Sequence, residues 1–220
     1  MSCRLVAVAF GVRDPARAAA FWAAVLGRHA VADARGVLLP AAGTQVGLRF
    51  TESRAGQAGP DRLHLHLTST TRADQDRVVA QALALGGAHL DVGQLPEEGH
   101  VVLADPEGDA LCVIEPGNTF LAGCGFLGEV ACEGSRDVGL FWAEALGWPL
   151  VWDHDEETAV QHPRGGTKVA WAVRRCRPGA AGTGSGSSSR SSTVTSTPRW
   201  RAWAGWGPGG WAAGQTAWWS

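Results

Sequence analysis

Asp14–Gly27 reads D-P-A-R-A-A-A-F-W-A-A-V-L-G, and this stretch decides the fold. Asp14 can accept from the free amides of a helix start, and Pro15 suits the first turn. Ala18, Phe21, Trp22, Val25 and Leu26 then follow at i, i+3, i+4, i+7 and i+8, one apolar stripe on a helix that Gly27 ends. The stretch returns: Phe21-Trp22 and Leu26-Gly27 recur 120 positions on as Phe141-Trp142 and Leu146-Gly147. The chain is therefore read as a repeat.

Working outward, the apolar run Arg4–Phe10 predicts a buried strand before the helix. Strands at Gly36–Leu39 and Gln45–Phe50 follow, which makes one βαβββ unit. The pattern restarts at Asp61. In Arg62–Thr68, Leu63, Leu65 and Leu67 alternate with His64 and His66, so the two imidazoles share one face of a strand. A helix is predicted from about Ala73 to Leu85, closed by Gly86-Gly87. Strands are predicted at His89–Val92, His100–Ala104 and Ala110–Glu115, with the turn Asp105-Pro106-Glu107-Gly108 between the last two. A third unit begins near Gly125, with strands at Val151–His154, Thr158–Gln161 and Thr167–Trp171.

A fourth unit should come next, and the composition breaks instead. Arg174–Ser220 contains no Asp, Glu, Leu, Ile, Phe or Met, yet holds six of the eleven Trp and six Arg. A fold needs periodic aliphatic side chains, and a disordered linker avoids Trp. Tryptophan has a single codon, TGG, so the other frames can be read back. Trp218-Trp219 then yields Val, while Trp203-Ala204 and Trp206-Gly207 yield Gly. A recovered Leu-Gly falls at 205–206, again 120 positions after Leu85-Gly86. The expectation is a frameshift near Trp171–Val173, so that 172–220 is a non-native, disordered, out-of-frame tail.

Composition excludes several function classes. A net charge of −2 offers no case for nucleic acid or an anionic membrane. No stretch approaches the ~20 apolar residues of a membrane span, and no signal peptide is visible. The five Cys form no CxxC pair, and an odd count points to reduced thiols and a cytoplasmic location. Lys168 is the only Lys against 18 Arg. No nucleophile arrangement has readable spacing, and Cys112 reads as a small core residue.

The tandem units, the D-P-x5-F-W-x3-L-G of Asp14–Gly27 and the L-A-D-P-E-G-D-x-x-C-V of Leu103–Val113 resemble the vicinal oxygen chelate superfamily. This is the fold of glyoxalases, bleomycin-resistance proteins and extradiol dioxygenases. The resemblance implies an α+β architecture in which βαβββ modules form curved mixed sheets around a cavity. It places a complete two-unit domain at 3–117 and the first half of a second at 122–171. It also implies a divalent metal between paired units, held by His and Glu from the first and last strands. The first-strand position is Ala7 in unit one, His64 in unit two and Leu127 in unit three; Glu115 matches the last-strand Glu of unit two. His66 and Glu52 are further donors.

With Ala7 in the first ligand place, the expectation is no cofactor: a glyoxalase-like protein that binds a small organic molecule without metal. The candidate ligand-binding residues are His64, His66 and Trp22. Of Phe21 and Trp22, one belongs to the core and the other reaches the concavity. The alternatives are a metal-dependent lyase, isomerase or dioxygenase using His64 and Glu115, or a degenerate domain with no ligand. The truncated second domain leaves an open face for self-association.

Overall fold

The structure is a computed structural model that describes residues 3–53, 63–95 and 97–173. It is α+β, with helices packed on curved mixed sheets. Unit one comprises β1 (Ala7–Val12), α1 (Pro15–Leu26), β2 (Val31–Asp33), β3 (Gly36–Leu39) and β4 (Gly47–Glu52). Unit two comprises β5 (Leu63–Leu67), α2 (Arg72–Ala84), β6 (Ala88–His89), β7 (Val101–Ala104) and β8 (Ala110–Val113). Unit three comprises β9 (Leu127–Glu133), α3 (Arg136–Leu146), β10 (Leu150–His154), β11 (Glu157–Gln161) and β12 (Lys168–Ala172).

The opening stretch folds for the reasons its residues supply. The Asp14 carboxylate accepts from the amides of Ala16 and Arg17, and Gly27 closes α1 in the left-handed region at φ 63°. Gly147 closes α3 in the same way at φ 64°. Inside α3, Gly139 lies against Thr158 of β11, so close that a Cβ there would collide with the hydroxyl. The short, exposed β2 carries no alternation to reveal it; pairing with β3 creates it.

Two sheets result. Unit one forms a four-stranded sheet in the order β1-β4-β3-β2. Units two and three share an eight-stranded sheet in the order β10-β11-β12-β9-β5-β8-β7-β6. At its centre β5 runs antiparallel to β9, with His64 opposite Ala131 and His66 opposite Glu129. The sheet thus crosses the 117/122 boundary drawn from the sequence, and unit two completes its sheet with unit three rather than with unit one. Unit one meets unit two through its helix instead. Trp22 Nε1–H donates to Asp105 at 2.9 Å, and Glu107 accepts from the amides of Arg13 and Asp14. Gln81 of α2 donates to the carbonyl of Ala24 on α1.

One core runs between the sheets and helices and joins Phe10, Trp22, Leu48 and Phe50 to Leu65, Leu67, Leu111, Val130 and Trp171. Trp22, expected at the ligand, is buried within it, and its indole N–H donates to Asp105 in the contact between units. Among the described residues, no helix is long and apolar enough to cross a membrane. Ala172 belongs to β12 and Val173 is the last residue described after it. The expected out-of-frame tail otherwise lies outside the described residues.

Candidate functional site

The leucines of β5 enter the main core, which leaves His64 and His66 on the opposite face of the eight-stranded sheet. Register then selects their neighbours. His66 sits beside Cys112 in the parallel ladder with β8 and opposite Glu129 in the antiparallel ladder with β9. Glu129 in turn sits beside Lys168 of β12. A row of Cys112, His66, Glu129 and Lys168 therefore crosses four adjacent strands, and all four residues are buried.

His66 Nδ1 lies 2.6 Å from the Glu129 carboxylate. The rings of His64 and His66 are 4.8 Å apart, and donor atoms of His64, His66 and Cys112 all lie within 4.8 Å of one another. Burial alone would lower the His66 pKa. The Glu129 carboxylate, with Cys112 adding to it, outweighs burial and raises the pKa to about 10. His100 behaves in the opposite way: burial, and then the charge on His66, lower it to about 4. The Lys168 ammonium donates to the carbonyl of Phe120 and stands 4.1 Å above the Phe120 ring.

The segment between β8 and β9 covers this row. Phe120, Leu121 and Cys124 pack onto Val102, Cys112, Ile114, Ala159 and Ala170. One pleat farther along, the covering segment leaves a cavity of about 640 Å³. Thr68 and Ile114, just past the ends of β5 and β8 and two residues beyond His66 and Cys112, form part of its wall. Ser69, Asp74, Glu115 and Asn118 give it a polar lining.

The structure brings together His64 and His66 but not His64 and Glu115. Unit two's last strand ends at Val113; Glu115 lies beyond it, accepts from Asn118 at 3.3 Å and lines the cavity. Glu52 ends β4 in the other sheet and is exposed. Two partners escaped the sequence reading. Glu129 is a lone charge in the apolar run of Leu127–Ala131, a signal that was available. Cys112 carries no such signal, because a buried Cys is ordinary core.

The residues fit the metal that the fold family implies. Two imidazoles and a thiolate are borderline-to-soft donors suited to Zn²⁺ or a similar transition ion. A carboxylate on the far nitrogen of a ligating imidazole fixes its tautomer, as Glu129 would do for His66.

A search of curated proteins finds no match for this chain. The family model described as a glyoxalase-like domain matches residues 7–114. Among solved structures, glyoxalase I from Zea mays superposes with a TM-score of 0.52 at 16% identity, over 76% of this chain and 66% of that one. A glyoxalase/bleomycin resistance protein/dioxygenase family enzyme from Burkholderia phytofirmans PsJN matches at 19% identity, over 50% of this chain and 97% of that one, with a TM-score of 0.42. Fold and matched segment agree: residues 7–114 match a glyoxalase-like domain, and the fold is similar to that of the glyoxalase/bleomycin resistance/dioxygenase, or vicinal oxygen chelate, proteins.

Proposed function

We propose that this chain is a metal-binding glyoxalase-like protein that takes a small organic molecule on the His64/His66 face of its eight-stranded sheet. The observation that carries the reading is the cluster itself: donors of His64, His66 and Cys112 within 4.8 Å of one another. All three donors belong to unit two, with Glu129 of unit three behind His66, and Ala7 of unit one has no part in the cluster.

His64, His66 and Cys112 would hold the ion, and Glu129 would orient His66. A bound divalent ion supplies a Lewis acid for an oxygen-bearing ligand. The protein's own contribution is burial, which excludes water and strengthens every charge interaction in the row. The small molecule is assigned to the 640 Å³ cavity, one pleat from the cluster, where the carboxylates of Asp74 and Glu115 meet hydroxyl groups.

A second reading has its own support. With its pKa raised to about 10, His66 is protonated at neutral pH in the metal-free chain, and the His66–Glu129 pair is then a buried proton donor next to a ligand site. In that case the protein binds its small molecule without metal.

Metal content separates the two. The full chain is incubated with Zn²⁺, Ni²⁺, Fe²⁺ or Mn²⁺, desalted and analysed for metal per chain. About one equivalent should be retained, and His66→Ala and Cys112→Ser should each lose it. Retention of none leaves the metal-free reading standing; retention unchanged in both variants places the metal elsewhere.

A further inference from the structure

The cluster of His64, His66 and Cys112 is enclosed on both sides. The main core lies behind the sheet, and all three residues are buried. In front lies the segment between β8 and β9, whose Phe120, Leu121 and Cys124 share an apolar cluster with Cys112 and Ile114. A small molecule reaches the donors when part of this enclosure moves. The sheet is the costly part to move, because β5 is paired along both edges, with β8 and with β9. The covering segment forms neither helix nor strand.

That segment is fastened differently along its length. At its start, the Asn118 side chain donates to Glu115 and accepts from the amide of Leu121. At its end, Gln45 of unit one donates to the carbonyl of Cys124 at 2.6 Å and accepts from the amide of Leu127 at 2.8 Å. Thr68 donates to the carbonyls of Gly125 and Phe126. Lys168 ties the middle to the sheet: its ammonium donates to the Phe120 carbonyl and stands 4.1 Å from the centre of the Phe120 ring. Lys168 is the only Lys in a chain with 18 Arg. A compact ammonium suits a place between a carbonyl and a ring, where a guanidinium would be a broad plate. Gly117 and Gly123 flank this middle in the left-handed region, at φ 85° and 74°, with open space where a Cβ would stand. Glycine changes backbone region there at little cost.

We propose that residues 117–123 are a gate over the cluster, hinged at Gly117 and Gly123 and latched to the sheet by Lys168. The gate belongs to the site in two ways. Asn118, Thr119, Leu121 and Ala122 also wall the cavity of about 640 Å³, so lifting them joins the cavity to the cluster. The latch stands in the row itself, since Lys168 is beside Glu129 and Glu129 is opposite His66. The proposal rests on reading the cluster and cavity as a ligand site, and Lys168 is a positioning residue in it.

Access to Cys112 tests the gate without any metal. The chelator-treated full chain is exposed to iodoacetamide, a small uncharged probe, and modification of Cys112 is followed by peptide mass spectrometry. Cys112 should react faster than the sheet unfolds, the unfolding rate being read from hydrogen exchange of β5 and β9. Lys168→Met should raise the Cys112 rate about tenfold, the effect of losing a hydrogen bond from a charged group. Asp14→Ala, which weakens a helix start in unit one, should leave that rate unchanged. Phe120→Leu keeps the carbonyl and loses the ring contact; it should raise the rate by a smaller factor and serves if Lys168→Met fails to fold. Modification no faster than unfolding, or an equal rise in Asp14→Ala, would show that Cys112 is exposed by unfolding and overturns the gate. A rate indifferent to both Lys168→Met and Phe120→Leu also overturns it, because the route then runs elsewhere. Adding Zn²⁺ tests the other reading separately. Protection of Cys112 is expected; its absence defeats the metal site and leaves the gate.

Discussion

Helices α1 and α3 carry the same Phe-Trp and Leu-Gly pairs and meet opposite fates. On α1, Phe21 and Trp22 are 3% and 1% exposed; on α3, Phe141 and Trp142 are 61% and 37% exposed. The backbone reason is shared, since both helices close on a left-handed glycine. The difference is a neighbour. The Asp105–Asp109 turn of unit two comes down on α1, taking the Trp22 N–H on Asp105 and capping the helix start through Glu107. Among the described residues, no equivalent turn reaches α3. The aromatic pair is thus a docking face between units, and it becomes core only where a second unit supplies the turn. Exposed together, Phe141 and Trp142 form an apolar patch of the kind that drives association.

The largest test of this difference is truncation of the two tryptophans. Trp22→Ala should cost about 3–5 kcal/mol, the range for removing a large buried aromatic, whereas Trp142→Ala should cost under about 1 kcal/mol. Urea unfolding of the two variants reads this directly. Equal losses would mean that α3 is covered in solution as α1 is.

A second contrast is between the first strands of units two and one. The β5–β9 seam holds an ionisable pair, and Ala9 at the matching place in unit one has nothing to titrate. His66 has a folded pKa raised to about 10 from an ordinary 6.5, so its contribution is complete below about 6.5 and fades as pH rises through about 10. His100 has a folded pKa lowered to about 4, so its contribution is present above about 6.5 and fades as pH falls through about 4. Stability of the chelator-treated protein should therefore decline on both sides of neutrality. Glu129→Gln should abolish the alkaline decline and leave the acid one. An alkaline decline of unchanged size in that variant would assign it to another group.

The smallest effect separates the two helix starts. Asp14 accepts from two amides, but Ser135, at the start of α3, makes no side-chain cap bond. Asp14→Ala should cost about 1 kcal/mol, and Ser135→Ala almost nothing, both by thermal melting. A matching cost at Ser135 would show that α3 is capped in solution.

Much of this architecture could be read along the chain. Asp14-Pro15 and Gly27 bound α1 where expected, and the Leu/His alternation of Leu63–Leu67 placed both imidazoles on one face. The 120-residue repeat announced α3 and β9. These signals are local: a cap spans three or four residues, and a strand alternates with period two. The pairing of units is not local: His64, His66 and Cys112 all lie in unit two, but Glu129, which stands behind His66, comes from unit three.

Sequence by itself determined the βαβββ repeat, the helix limits and the face on which His64 and His66 stand, because each follows from bonds and side-chain periods a few residues long. Tertiary structure alone decided which edges meet. The Trp22–Asp105 contact commits α1 to the helix side of unit two and turns β1 away from β5. The free edge of β5 then goes to β9, and with it Glu129 and Lys168 come to the side of the His66 cluster.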